Sequence, residues 1–202
     1  ERGLTNLFLG SQGTRFAAPR RQQIAECQAT EAELRRCFDS LDTQAAHLGH
    51  GARLFSRIAY VLHGLDALPA LRERIDTQAW TARDTTEAFV RLIAGLLAVV
   101  FEAADSASDP AISRQLVALF NFMQGKEFAG QERAAGSALF ASGRADSAGQ
   151  QRLLHLIDSQ ERCLQVFHDF ASVGMAGLWG GCGLGLGRYG RVQAQRVLAR
   201  QV

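Results

Sequence analysis

Lysine is almost missing from this chain: Lys126 is the only one, and every other cationic side chain of fixed charge is arginine. Either a coding bias or a need for planar oxyanion recognition would produce that preference, and composition does not separate them. Proline (3) and tyrosine (2) are scarce, while Ala, Leu, Gln, Glu and Arg abound, a balance that favours helix over sheet. There is no Cys-x-x-Cys pair and no clustered histidine, so no metal site is expected. Cys27, Cys37, Cys163 and Cys182 are widely spaced, and the first three fall on helical apolar patterns, as reduced core thiols would. No segment reads as a signal peptide and no apolar run is long enough to span a bilayer. A cytoplasmic location without membrane contact is the expectation. The chain opens in the middle of a helical pattern at Glu1, which leads us to expect further sequence before it.

At 202 residues the chain is long enough for one large domain or two small ones, each with a core. Its apolar fraction of 47% and charged fraction of 21% are ordinary for a globular protein. The net charge is +2 with the two signs interspersed, which leaves no footprint for nucleic acid on this segment.

The hydrophobic period is helical throughout. Residues 1–12 read as the end of a helix stopped by Gly10 and Gly13, and Pro19 suits the first turn of the next. There Ile24, Cys27, Leu34, Phe38 and Leu41 recur at three- and four-residue spacing as one buried stripe. Shorter helices are expected over 54–62 and 70–78. Asp84-Thr85-Thr86-Glu87 resembles a capping box ahead of Phe89, Leu92, Ile93, Leu96, Leu97 and Val100. Asp109-Pro110 opens a helix that could run unbroken from 110 to 142. A last long stripe holds Leu153, Ile157, Gln160, Leu164, Phe167 and Ala171. No alternating strand pattern occurs, so an all-α fold is expected.

Enzyme chemistry finds no constellation. His47, His50 and His63 lack a carboxylate at ligand spacing, and His155 and His168 fall off the apolar stripe of their helix. No nucleophile elbow surrounds any Ser or Cys. Asp158, Glu161 and Arg162 read as a solvated charged face. Gly185-Leu186-Gly187-Arg188-Tyr189-Gly190 matches the dinucleotide fingerprint in form, yet no strand precedes it. A flexible connector over 177–190 leading into a final helix at 191–202 explains it more simply. No cofactor is expected.

One tract occurs twice. Glu1-Arg2-Gly3-Leu4-Thr5 begins the chain, and Glu132-Arg133-Ala134-Ala135-Gly136 follows within the long helix. Adjacent helical residues point about 100° apart, so each Glu neutralises its neighbouring Arg poorly. Small residues beside each Arg leave room for a small ligand or a partner backbone. The plainer reading makes each Glu-Arg pair a charged helix surface. If the repeat is a duplication, it implies two similar helical hairpins, each with one Arg at an equivalent place.

The stretch Gln124-Gly125-Lys126-Glu127-Phe128-Ala129-Gly130-Gln131-Glu132-Arg133-Ala134-Ala135-Gly136 resembles the nitrate- and nitrite-sensing (NIT) domain family. So do Glu1-Arg2-Gly3-Leu4-Thr5 with Leu9-Gly10-Ser11-Gln12-Gly13, and Leu156 through Cys163 with Phe170-Ala171. The resemblance implies two four-helix bundles sharing long helices, over a sensory domain at 1–176. It implies nitrate or nitrite as ligand and an absent output module beyond 202, signalling or RNA-binding antitermination. Joined to the repeated tract, it makes Arg2 and Arg133 the expected nitrate ligands, with Arg196 or Arg191 as further candidates. Two guanidinium groups ~6 Å apart repel by about 3 kcal/mol at an effective dielectric near 20, so a monoanion between them would link binding to conformation. A homodimer is also possible for such long amphipathic helices. The alternative is a helical interaction or dimerisation scaffold that binds no small molecule.

Overall fold

The turn after the first helix shows how locally this chain is directed. Gly13 takes φ +74°, and its N–H donates to the Phe8 carbonyl at 3.0 Å. The left-handed backbone favours glycine there; a Cβ would also meet the Gln78 amide nitrogen at 2.4 Å, but that is the far end of a flexible side chain that can swing aside. The Ser11 hydroxyl donates to the Phe8 carbonyl at 2.8 Å and accepts from the Arg15 N–H at 3.1 Å, which steers the chain into the next helix. Gly10 closes the first helix, and the left-handed residues of the connection to the second are Gln12, Gly13 and Phe16.

A computed structural model describes residues 1–45, 51–142, 147–172 and 174. These form seven helices: α1 (Arg2–Gly10), α2 (Ala17–Ala45), α3 (Ala52–Asp66), α4 (Leu68–Asp76), α5 (Ala82–Ser106), α6 (Pro110–Ser142) and α7 (Ser147–Phe170). Among the described residues there is no strand, and no helix is long and apolar enough to cross a membrane. The fold is all-α. The connector expected over 177–190 and the final helix over 191–202 lie outside the described residues, as do His47, His50 and Cys182.

The chain divides into two compact units, Glu1–Glu102 and Ala103–Val202. In the first, Phe8 of α1, Val61 and Leu65 of α3, Leu68 and Ile75 of α4, and Phe89 of α5 form the buried core. Leu34 and Phe38 of α2 press on it from the side, half-buried. The α2 stripe is thus shallower than its spacing suggests: Leu41 and Cys37 are exposed, and Cys27 is only half-buried. Leucines and cysteines at helical spacing mark a face, and only the neighbouring helices decide how much of it is covered.

Side chains satisfy free N–H groups at the starts of α5 and α6, whereas α1, α3 and α4 begin without a side-chain cap. Pro69 sits in the first turn of α4, so that helix begins earlier than 70. The capping box of α5 is Thr81 with Asp84, not Asp84 with Glu87. The Asp84 N–H donates to Thr81 Oγ1 at 3.1 Å, while Asp84 Oδ2 accepts the Thr81 hydroxyl at 2.6 Å and its N–H at 3.3 Å. Both threonine and aspartate can cap, and the pattern alone left the register three residues too late. At α6 the expected cap is present: the Ala111 N–H donates to Asp109 Oδ1 at 2.7 Å, with Pro110 as first helical residue.

In the second unit α6 and α7 pack as an antiparallel hairpin. The pairing runs from Arg114 with the Asp169 carbonyl, through Phe122 with Phe167 (ring centroids 5.4 Å apart), to Glu132 with Gln160. The two helices meet at Gly125, where a Cβ would lie in ordinary van der Waals contact, 3.5 Å from Cys163 and Leu164. Ala118 and Ala129 are buried on α6, and Leu153, Leu156 and Phe167 are buried on α7.

Candidate functional site

Both copies of the repeated tract are built alike. Glu1 precedes α1 and its carboxylate is 6% exposed; Arg72 of α4, 8% exposed, grips it through Nε to Oε1 at 2.9 Å and Nη2 to Oε2 at 2.8 Å. In the second unit Glu132 is 7% exposed, and Gln160 Nε2 of α7 donates to its Oε2 at 3.0 Å. Burial pushes the Glu132 carboxyl above its usual range; the Gln160 hydrogen bond and the adjacent Arg133 charge work against that rise. The glutamates are therefore anchors and not surface charges, which corrects the plainer reading of the Glu-Arg pairs.

An anchored residue fixes the rotation of its helix, and its neighbour must point elsewhere. Arg2, the first residue of α1, is half-buried; Arg133 on α6 is exposed. A Cβ built on Gly3 or Gly136 meets no atom within 4 Å, so the small-residue surface beside each arginine is open. Arg2 belongs to the first unit and Arg133 to the second. Arg191 and Arg196 lie outside the described residues.

Two arginines that the sequence reading passed over are more deeply placed. Arg72 is one; the other is Arg20 of α2, 2% exposed, which pairs through Nη1 with Asp76 of α4 and stacks over Phe8 at 5.1 Å. Arg20 Nε and Nη2 have no hydrogen-bond partner among the described residues. A signal for Arg72 was present: Leu68, Arg72 and Ile75 share one helical face, so the arginine stands on an apolar stripe. Gln160 carried the same signal within its own stripe. Arg20 had none, because Gln23, Ile24 and Cys27 around it are only half-covered.

No cluster of three or more His, Cys, Asp or Glu among the described residues is placed to hold a metal. His63, His155 and His168 are exposed. Asp158, Glu161 and Arg162 form the exposed face expected of them, with Arg162 Nη2 donating to Ser159 Oγ at 3.2 Å.

Comparison with known proteins gives the arrangement its context. The sequence model of the family described as nitrate and nitrite sensing (NIT) matches residues 1–179. The chain is 38% identical over 175 residues to the nitrate regulatory protein of Klebsiella oxytoca, covering 85% of this chain and 42% of that one. Its fold matches the structure of the NasR transcription antiterminator with a TM-score of 0.79 at 33% identity, covering 99% of this chain and 57% of that one. The chain thus spans less than two thirds of either relative. Both relatives are named as regulators. The chain belongs to the nitrate- and nitrite-sensing (NIT) family.

Proposed function

We propose that this chain binds nitrate or nitrite, with the guanidinium groups of Arg2 and Arg133 donating to the anion. The family match over residues 1–179 carries the reading. The matching construction of the two tracts supports the choice of arginines: each follows a buried, hydrogen-bonded glutamate and adjoins open space. Nitrate is planar with three equivalent oxygens, and the arginine fork donates two nearly parallel hydrogen bonds in one plane. One of Arg191 and Arg196 would add a third cation.

The rest of the reading follows from that step. Residues 1–176 form the sensory domain, in two four-helix bundles sharing long helices; 177–190 connect to a final helix at 191–202. Ligand binding stabilises one arrangement of the helices, and the change passes to an output module, as the antiterminator among its relatives suggests. RNA binding belongs to that module and not to this segment. The protein is cytoplasmic, and a homodimer offers a route for the signal.

Calorimetric titration with nitrate, nitrite, chloride and sulfate at equal ionic strength tests the proposal. A charge-assisted hydrogen bond contributes roughly 1.5–3 kcal/mol, so Arg2→Ala or Arg133→Ala should weaken nitrate tenfold or more. Lysine should rescue poorly, since it keeps the charge and loses the fork. Unchanged affinity in folded Arg133→Ala protein removes that arginine from the site. No selective binding by the parent chain returns it to the reading of an interaction scaffold.

A further inference from the structure

The first unit contains a cleft that nitrate recognition leaves unused. It has a volume of about 350 Å³ and lies among α3, α4, α5 and the segment joining α4 to α5. That volume is at the lower end of the roughly 300–1,000 Å³ found for ligand clefts. Aliphatic side chains including Leu71 and Leu92 form its floor, and the Trp80 ring stands in its wall. Around it are Tyr60, His63, Arg74 and Arg91, all exposed.

Three features decide what such a cleft would take. First, it is preformed. Gly64 and Gly95, both in its lining, are where α3 and α5 approach: a Cβ on Gly64 would lie 3.0 Å from Leu92, and one on Gly95 would lie 3.4 Å from Tyr60 and Val61. Second, its charge has one sign: two arginines and a histidine line it, with no Asp or Glu among the lining residues. Third, the Arg74 guanidinium lies over the Trp80 ring at 5.3 Å, a cation–π contact that places its charge beside the cleft. An apolar floor gives a small inorganic anion nothing for its hydration shell, whereas a planar guanidinium matches a carboxylate through two hydrogen bonds.

We propose that this cleft is a second ligand site, for a small aromatic carboxylate whose ring rests against Trp80 and the aliphatic floor while Arg74 and Arg91 hold its carboxylate. The site is contained in the first unit and does not depend on Arg2 or Arg133.

Phenylacetate is a suitable probe, with phenylacetamide as its neutral counterpart and sodium nitrate as the inorganic control. The full chain, labelled with 15N, is titrated with each while the Trp80 indole N–H resonance is followed; Trp179→Phe removes the second tryptophan. The expected result is a saturable shift with phenylacetate, at least fivefold weaker binding of the amide, and no comparable shift with nitrate. Arg74→Gln and Arg91→Gln, both at exposed positions, should each weaken phenylacetate at least fivefold with an unchanged melting temperature. Arg133→Ala should bind phenylacetate as the parent does, which separates this site from the nitrate proposal. Equal binding of acid and amide, parent-like affinity in both glutamine variants, or no saturable shift would overturn it. So would a self-associated form whose interface excludes the probe from the cleft.

Discussion

Glu1 and Arg72 form a two-pronged ion pair, at 2.9 and 2.8 Å, with neither side chain more than 8% exposed. The pair ties the start of α1 to the middle of α4. It sets the rotation of the helix that carries Arg2 and keeps a charged group of each sign inside the first unit.

Breaking that pair from one side should be far worse than removing it whole. Arg72→Ala leaves a buried carboxylate without its counter-ion, an error that typically costs about 3–5 kcal/mol. Glu1→Gln with Arg72→Met should cost clearly less than Arg72→Ala with Glu1 intact. Urea unfolding of the parent and the two variants checks the order; equal losses would mean that the carboxylate reaches water.

Glu132 should make the second unit less stable as pH rises. Its folded carboxyl titrates above the ordinary value because of burial. Between the unfolded and folded values the native state holds more protons, so stability declines as pH rises through that window and is flat above it. Glu132→Gln removes this trend while keeping an acceptor for Gln160. Melting curves from pH 4 to 8 should therefore be flatter for the variant, with its advantage largest at the alkaline end. Gln160→Leu, by contrast, deprives a buried carboxylate of its donor and should cost roughly 1.5–3 kcal/mol.

The register of the α5 cap makes Thr81, and not Thr85 or Thr86, the sensitive threonine for helix capping. Thr81→Ala should cost about 0.5–2 kcal/mol. The hydrogen bonds from the Thr81 hydroxyl and N–H hold the Asp84 carboxyl below its usual range. The stability they add is present above the ordinary carboxylate pKa and is lost as pH falls through the folded value. Acid unfolding of Thr81→Ala should accordingly begin from a lower plateau and show a smaller drop.

The cysteines should separate by reactivity. Cys37 is exposed, whereas burial pushes the Cys163 thiol up, against the opposing charge of Arg162. In a Cys182→Ser background a disulfide reagent at pH 8 should modify Cys37 first and Cys163 last. Rapid labelling of Cys163 would show that the α6–α7 contact at Gly125 opens readily.

The helices are encoded locally along the chain. Their period, the glycine at 13, the Asp109-Pro110 start and the absence of alternating strands are local signals, read over a few residues at a time. The long helix from 110 to 142 was legible for the same reason: nothing in it interrupts the backbone hydrogen bonds. The family was legible too, through short tracts at 1–5 and 124–136. The depth and partner of each polar side chain came instead from the packing of distant helices. Glu1 and Arg72 are 71 residues apart, and Glu132 and Gln160 are 28 apart. No periodicity encodes such pairings, because burial of a charge depends on which helix arrives opposite it. The same limit explains the misplaced cap at Asp84 and the exposed Cys37. A helical face is a property of one segment, while its covering belongs to another.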